Sequence, residues 1–250
     1  MTGTSEVPLT GTCPFTVDRP IMRQRWERLS FLHWGFEPAA VQRLLPDGLT
    51  AETWDGAAWV GLVPFFMQVA SPDGRRVPWV SNFCETNVRT YVRDESGRGG
   101  IWFFSLDAAR LGAVLAARCG PYRLPYFWSS MRLGRRGDEM AYLTRRRWPR
   151  PAPATSRANS RICVRIGDPI PFGQVSDFEH FLTARWRLFS VTAGRPTSAR
   201  ARHDPWPLHR ASATMVDDQL LTAAGLPAPD GPPLVHWSPG VDVAIGRPEK

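Results

Sequence analysis

The chain has 250 residues, 43% hydrophobic content, 11 Trp and 13 Phe, enough for a sizeable core and incompatible with global disorder. Its formal charge is +8, and Lys250 is the one lysine among 31 basic residues. These residues are spread along the whole chain without a nucleic-acid-reading motif, so charge supports only non-specific attraction and nucleic acid is disfavoured as a partner. Residues 1–22, rich in Thr, Gly and Pro, read as a flexible leader, and 23–250 as a single domain. A strand is expected over 26–36, then a short helix over 38–45 with Pro38 in its first turn, where a missing N–H costs little. Pro46-Asp47-Gly48 is a turn, and 49–54 with 57–67 form a hairpin around Asp55-Gly56. Strands follow over 83–92 and 100–108.

Leu111, Val114 and Leu115 have helical spacing, which predicts a helix over 108–119 stopped by Gly120-Pro121. A second hairpin spans 126–133 and 140–148, a Pro/Ala/Ser loop covers 149–159, and 161–166 is a strand. Ser176-Asp177-Phe178-Glu179 fits a capping box, placing a helix over 177–184. Strands are expected over 186–191, 199–203, 211–216 and 241–245, with a last helix over 217–224 ended by Gly225 and Pro227. His236 then falls at a strand end near a Pro239-Gly240 turn. With 24 scattered prolines, many short strands and no β-helix-β alternation, the fold class is α+β. Its body is a mainly antiparallel sheet curled into a barrel or cone with a few peripheral helices.

Cys13, Cys84, Cys119 and Cys163 are far apart and form no Cys-x-x-Cys pair, so neither a metal site nor a disulfide framework is indicated. No basic start with an apolar segment marks a signal peptide, and no run reaches membrane-spanning length, so the expected location is cytoplasmic. A Gly-x-Ser-x-Gly elbow, a Walker loop, a dinucleotide fingerprint and a His-Glu-x-x-His motif are all missing, and no cofactor is called for. Homo-oligomerisation is compatible with all of this.

The informative segment is 83–92, Phe-Cys-Glu-Thr-Asn-Val-Arg-Thr-Tyr-Val. Side chains alternate across a strand, so Glu85, Asn87, Arg89 and Tyr91 share one face and Thr86, Val88, Thr90 and Val92 the other. An acid, an amide, a guanidinium and a phenol beside the apolar 100–108 strand suggest a hydrogen-bonding wall within a cavity. The alternative is that this stripe faces solvent and the Thr/Val face points inward.

Several segments resemble the YqjF-like family of the acetoacetate decarboxylase-like superfamily. They include His33-Trp34, Leu44-Leu45-Pro46-Asp47-Gly48-Leu49, Trp59-Val60-Gly61-Leu62-Val63-Pro64-Phe65 and Glu85-Thr86-Asn87-Val88-Arg89-Thr90-Tyr91-Val92. Leu106-Asp107, Leu124-Pro125-Tyr126, Arg185-Trp186-Arg187-Leu188-Phe189, His203-Asp204-Pro205-Trp206 and His236-Trp237-Ser238-Pro239-Gly240 continue the match, which spans about residues 25–246. The resemblance implies a cone-shaped antiparallel barrel with a pocket inside and an acid at the position of Glu85. It also implies a Schiff-base lysine after the second helix, near Arg123 and Leu124. No lysine stands there, and Arg cannot replace it, because its guanidinium stays protonated. Imine chemistry is therefore not expected, whatever the fold.

Glu85 is the candidate catalytic residue, since burial would raise its pKa toward proton-transfer work; the competing role is an ion pair with Arg89 or with an arginine on an adjacent strand. Arg89 and Arg123 suit a carboxylate or enolate clamp, and Asn87 and Tyr91 suit orientation of a carbonyl. His33 is a further substrate-binding candidate, or else a satisfied core histidine. Asp107 reads as an N-cap for the helix that follows it. The partner implied is a small molecule, anionic or carbonyl-bearing, either turned over by lysine-independent acid/base chemistry or bound without reaction.

Overall fold

A computed structural model of the chain describes residues 11–76, 81–120, 122–148, 158–192 and 194–249. Its strands are β1 (Met22–Phe36), β2 (Leu49–Ala51), β3 (Thr53–Trp54), β4 (Ala57–Ala70), β5 (Asn82–Asp94), β6 (Gly99–Ala108), β7 (Tyr126–Arg136), β8 (Glu139–Trp148), β9 (Asn159–Pro169), β10 (Arg187–Thr192), β11 (Arg195–His203), β12 (His209–Asp218) and β13 (Leu234–Glu249). The helices are α1 (Pro38–Gln42), α2 (Leu111–Cys119), α3 (Asp177–Thr183) and α4 (Leu220–Ala223). At the start of α3 the capping box forms as expected, with Ser176 and Glu179 satisfying each other's backbone N–H.

Five strands, in the order β6-β5-β4-β1-β13, make an antiparallel central sheet. Each of its edge strands has two outer partners. β6 pairs in parallel with β10 at Ile101 and Trp102 and in parallel with β7 over 106–108. β13 pairs with β12 at His236 and Trp237 and with β11 over 243–249. The β10-β11 pair and the β7-β8-β9-β12 ribbon thus each connect the two edges, one across each face. The result is a large mixed sheet curled closed.

Double closure explains a sequence pattern. β4 sends Val63, Phe65 and Met67 into one core and Ala58, Val60 and Leu62 into another. A strand buried on both faces reads as a continuous apolar run instead of an alternating one. β8 and β9 carry the second core with Met140, Tyr142, Ile162 and Val164. Their outer faces keep arginine in water: within the Arg145-Arg146-Arg147 run, only the middle residue turns inward and is buried.

That inward residue overturns one expectation. Asp107 lies inside β6, and α2 begins only at Leu111 with Arg110 at its N-cap, so Asp107 caps no helix. Instead its carboxylate accepts from Arg146 Nε at 2.9 Å and Nη2 at 2.7 Å, and from Ser129 Oγ at 2.6 Å. The Arg146 guanidinium also covers the Phe127 ring at 3.7 Å. Pro239-Gly240 is likewise no turn: β13 runs through it, with Gly240 at φ +130° and so close to β1 that an added Cβ would lie 2.0 Å from Trp26 O. The last helix is shorter than expected, because 217 and 218 belong to β12.

Of the expected leader, residues 1–10 lie outside the described residues, while Phe15 lies under the Arg200 guanidinium at 4.9 Å. The expected 149–159 loop is outside them as far as residue 157, and β9 starts at Asn159.

Breaking the bidentate pair leaves one charge buried without a partner. Arg146→Met is expected to lose about 3–5 kcal/mol, and the Asp107→Leu/Arg146→Met double variant to recover most of that loss. Urea denaturation reads both; an unchanged midpoint for the single variant would refute the structural role of the pair.

Candidate functional site

Every residue of β5 from Glu85 to Val92 is buried, so neither face of the stripe meets solvent. Val88 packs in the core carried by β8 and β9, and Thr86 Oγ1 lies 3.0 Å from Thr144 Oγ1. Glu85, Asn87 and Arg89 turn the other way and line a cavity of about 680 Å³. The rest of its wall is largely apolar, with Trp26, Phe65, Met67, Phe83 and Leu106 prominent. The β5–β6 register shifts between Val88 and Arg89, a bulge that lets Ile101, Phe103 and Leu106 all face this space.

Glu85 is 1% exposed, and its Oε2 accepts a 2.8 Å hydrogen bond from the Tyr126 hydroxyl. Burial raises its pKa to about 8, and the nearby Asp107 charge adds to the rise while Tyr126 opposes it. The competing ion pair with Arg89 does not form, since four residues along a strand separate the two backbones by about 13 Å. Tyr126 reaches Glu85 because β7 joins β6 in parallel with Leu106 opposite Tyr126. Burial and Glu85 hold the Tyr126 phenol well above its ordinary range, so it stays a donor.

Arg89 is 4% exposed and has no carboxylate partner among the described residues. Its Nη2 donates to Leu182 O at 3.3 Å, its Nε has no partner, and its guanidinium stands over the Phe31 ring at 5.4 Å. Asn87 Oδ1 is unpartnered as well. Arg185 also lines the cavity, but its charge is already met by Glu52, which accepts from Arg93 at 2.6 Å too. Arg187 is held by Glu249 at 2.8 Å. Among the described residues, Arg89 is thus the cavity-lining arginine without a carboxylate partner.

Three expected ligand contacts fall elsewhere. Tyr91 and His33 do not line the cavity; they brace Arg89 from behind. The Tyr91 hydroxyl donates to Leu182 O, the carbonyl that Arg89 also uses, and lies 2.7 Å from His33 Nε2. With the phenol proton committed to Leu182, His33 Nε2 is the donor of that pair. Burial, then Arg89, then His236 hold the His33 pKa well below its usual value, so the ring is neutral. Arg123 is exposed, at φ +45° in the loop after α2, while Tyr122 and Leu124 beside it face the cavity. Conversely, sequence reasoning assigned no role to Tyr126 or Arg185. Both lie in family-like segments, yet only the strand pairing brings them to β5.

The chain matches the family DUF2071, described as an uncharacterized conserved protein, over residues 23–242. The chain belongs to that family. It is 33% identical over 225 residues to YqjF of Bacillus subtilis strain 168, covering 89% of each chain. Among solved structures it superposes on an acetoacetate decarboxylase-like enzyme from Sphingomonas wittichii RW1 with a TM-score of 0.62 and 14% identity, over 95% of this chain and 96% of that one. An acetoacetate decarboxylase from Legionella pneumophila gives a TM-score of 0.61 and 12% identity over 95% and 92% of the two chains. The enduracididine biosynthesis enzyme MppR complexed with pyruvate gives 0.60 and 16% over 95% and 91%. Such identities show a shared fold, the acetoacetate decarboxylase-like one. Lys250 lies outside the described residues, and Leu124 borders the cavity where the resemblance implied a lysine. No helix among the described residues is long and apolar enough to cross a membrane.

A carboxyl whose pKa rises on folding binds its proton more tightly in the folded state. Between an ordinary 4.5 and about 8, the unfolded chain therefore loses that proton first, and Glu85's contribution to stability falls as pH rises. Glu85→Gln is expected to gain stability relative to wild type as pH climbs through this window. Urea midpoints measured across it that run parallel for the two proteins would overturn the assignment.

Proposed function

We propose that this cavity takes a small carboxylate-bearing carbonyl compound, holds its anionic group on Arg89, and uses Glu85 for proton transfer without forming an imine. The observation that carries this reading is one wall bearing both a buried guanidinium with no counter-ion among the described residues and a buried carboxyl with a pKa of about 8. A naked buried cation is costly unless something neutralises it, and an anionic ligand would do so. Charge-assisted hydrogen bonds from a planar fork suit a carboxylate. MppR, which shares the fold, is described in complex with pyruvate.

A carboxyl titrating near physiological pH suits both directions of proton transfer. Protonated, Glu85 donates to a carbonyl oxygen; ionised, it removes a proton from the carbon beside that carbonyl. Enolisation, aldol-type addition or cleavage, and dehydration all draw on this pair of abilities. Tyr126 keeps Glu85 Oε2 occupied, and Oε1 makes no hydrogen bond to a described residue. A second reading, a binding barrel without turnover, is favoured by one observation: Arg146 sequesters Asp107, so Glu85 has no second deep carboxylate to work with.

Incubation with oxo-acids in heavy water, followed by NMR, separates the readings. Wild-type protein is expected to exchange the protons beside the carbonyl, and Glu85→Gln to slow this by at least about a hundredfold while still binding. Ligand-induced stabilisation with no exchange would leave only the binding barrel. Arg89→Met is expected to lose ligand-induced stabilisation yet match or exceed wild-type stability without ligand, because it removes an unpaired buried charge.

A further inference from the structure

The cavity has a direction. Along β4 and β5 the register sets Gly61 opposite Arg89, Val63 opposite Asn87, Phe65 opposite Glu85 and Met67 opposite Phe83. Val69 continues this row, followed by Asp73 and Arg75, which border the cavity and are exposed. Ala116, another exposed lining residue, comes from α2, which follows the end of β6 paired with Glu85. The opening therefore lies beyond Phe83. At the opposite end Arg89 is backed by Tyr91, Phe31 and the Leu182 carbonyl, all buried.

Glu85 and Arg89 are separated along this axis by about 13 Å of strand, and each head is tied toward its own end. Arg89 is bonded to Leu182 O and Glu85 to Tyr126. Strand side chains stand roughly perpendicular to the sheet, which keeps the two heads apart. A molecule with carboxylate and carbonyl on adjacent carbons touches one of them and not both. Between Glu85 and the mouth the wall is Phe83, Met67, Val69, Trp26 and Met22. A volume of about 680 Å³ is that of a pocket for a drug-sized ligand, and a three-carbon acid would leave most of it as water against apolar walls.

We infer that the occupant is an extended oxo-carboxylate with a hydrophobic tail. Its carboxylate enters first and rests on Arg89, its carbonyl lies several carbons away beside Glu85, and its tail runs past Phe83 and Met67 to the mouth. This inference rests on the reading of the cavity as a carboxylate site.

The test is a calorimetric titration of the full chain with straight-chain oxo-acids of rising length, from pyruvate and acetoacetate to oxooctadecanoates, the length needed to run from Arg89 past Val69. Affinity is expected to tighten about fourfold per methylene, the factor that burial of one such group supplies, until the chain reaches the mouth. Among acids of equal length, those whose carbonyl is remote from the carboxylate are expected to undergo Glu85-dependent deuterium exchange faster than 2-oxo isomers. Val69→Glu, at a half-buried position near the opening, is expected to flatten the gain for the longest acids. Short acids that bind as tightly as long ones and undergo the same Glu85-dependent exchange would overturn the inference and leave the proposed function standing. If no acid of any length binds, both fall.

Discussion

The constraint on which this molecule depends is the removal of both faces of β5 from water. The central five strands are covered on one side by β10 and β11 and on the other by the β7-β8-β9-β12 ribbon. The polar row on β5 can then never be solvated from outside, and each of its groups must find a protein partner or a ligand. Thr86, on the opposite face, has found one in Thr144. Glu85 has half of one in Tyr126, and Arg89 has a carbonyl and aromatic faces but no counter-charge among the described residues.

The way the molecule settles its buried charges separates scaffold from site. Asp107 with Arg146 is a matched pair, and Glu52 is shared between Arg185 and Arg93, so each of these buried carboxylates is held by arginine. These pairs fix the positions of β6, β8 and the end of α3, and with them the walls of the cavity. Glu85 and Arg89 remain outside such pairing. One answers burial by holding its proton, while the other cannot give its proton up and keeps its charge. A carboxyl that has turned neutral and a guanidinium that cannot are therefore held apart on one strand; in the proposed function the first is a proton source and the second an anion anchor.

The fold is that of acetoacetate decarboxylase-like proteins, and the lysine that the resemblance implies has no counterpart at Arg123 or Leu124. With Leu124 at the cavity wall and Lys250 the sole lysine, the same architecture presents a buried carboxylic acid and a buried arginine to its cavity. Fold and chemistry part company here because the barrel is held by its strand pairing and its two cores, none of which involves a lysine.

The sequence by itself determined the fold class, most strand positions and the grouping of Glu85, Asn87 and Arg89 on one face, because period-two alternation is a local property of the backbone. It also showed that Lys250 is the sole lysine, so none stands at 123 or 124, which is a matter of composition. Tertiary structure alone decided that both faces of β5 are buried, that Asp107 serves Arg146 and not a helix, and that Tyr126 meets Glu85. Those outcomes depend on which distant strands pair and at what register. The β6 bulge moves side chains between faces without changing local propensity. Tyr91 does share the face of Arg89 but lies under the Arg89 and Arg185 guanidiniums beyond the end of the cavity, and Arg123, at the implied lysine position, is exposed between Tyr122 and Leu124.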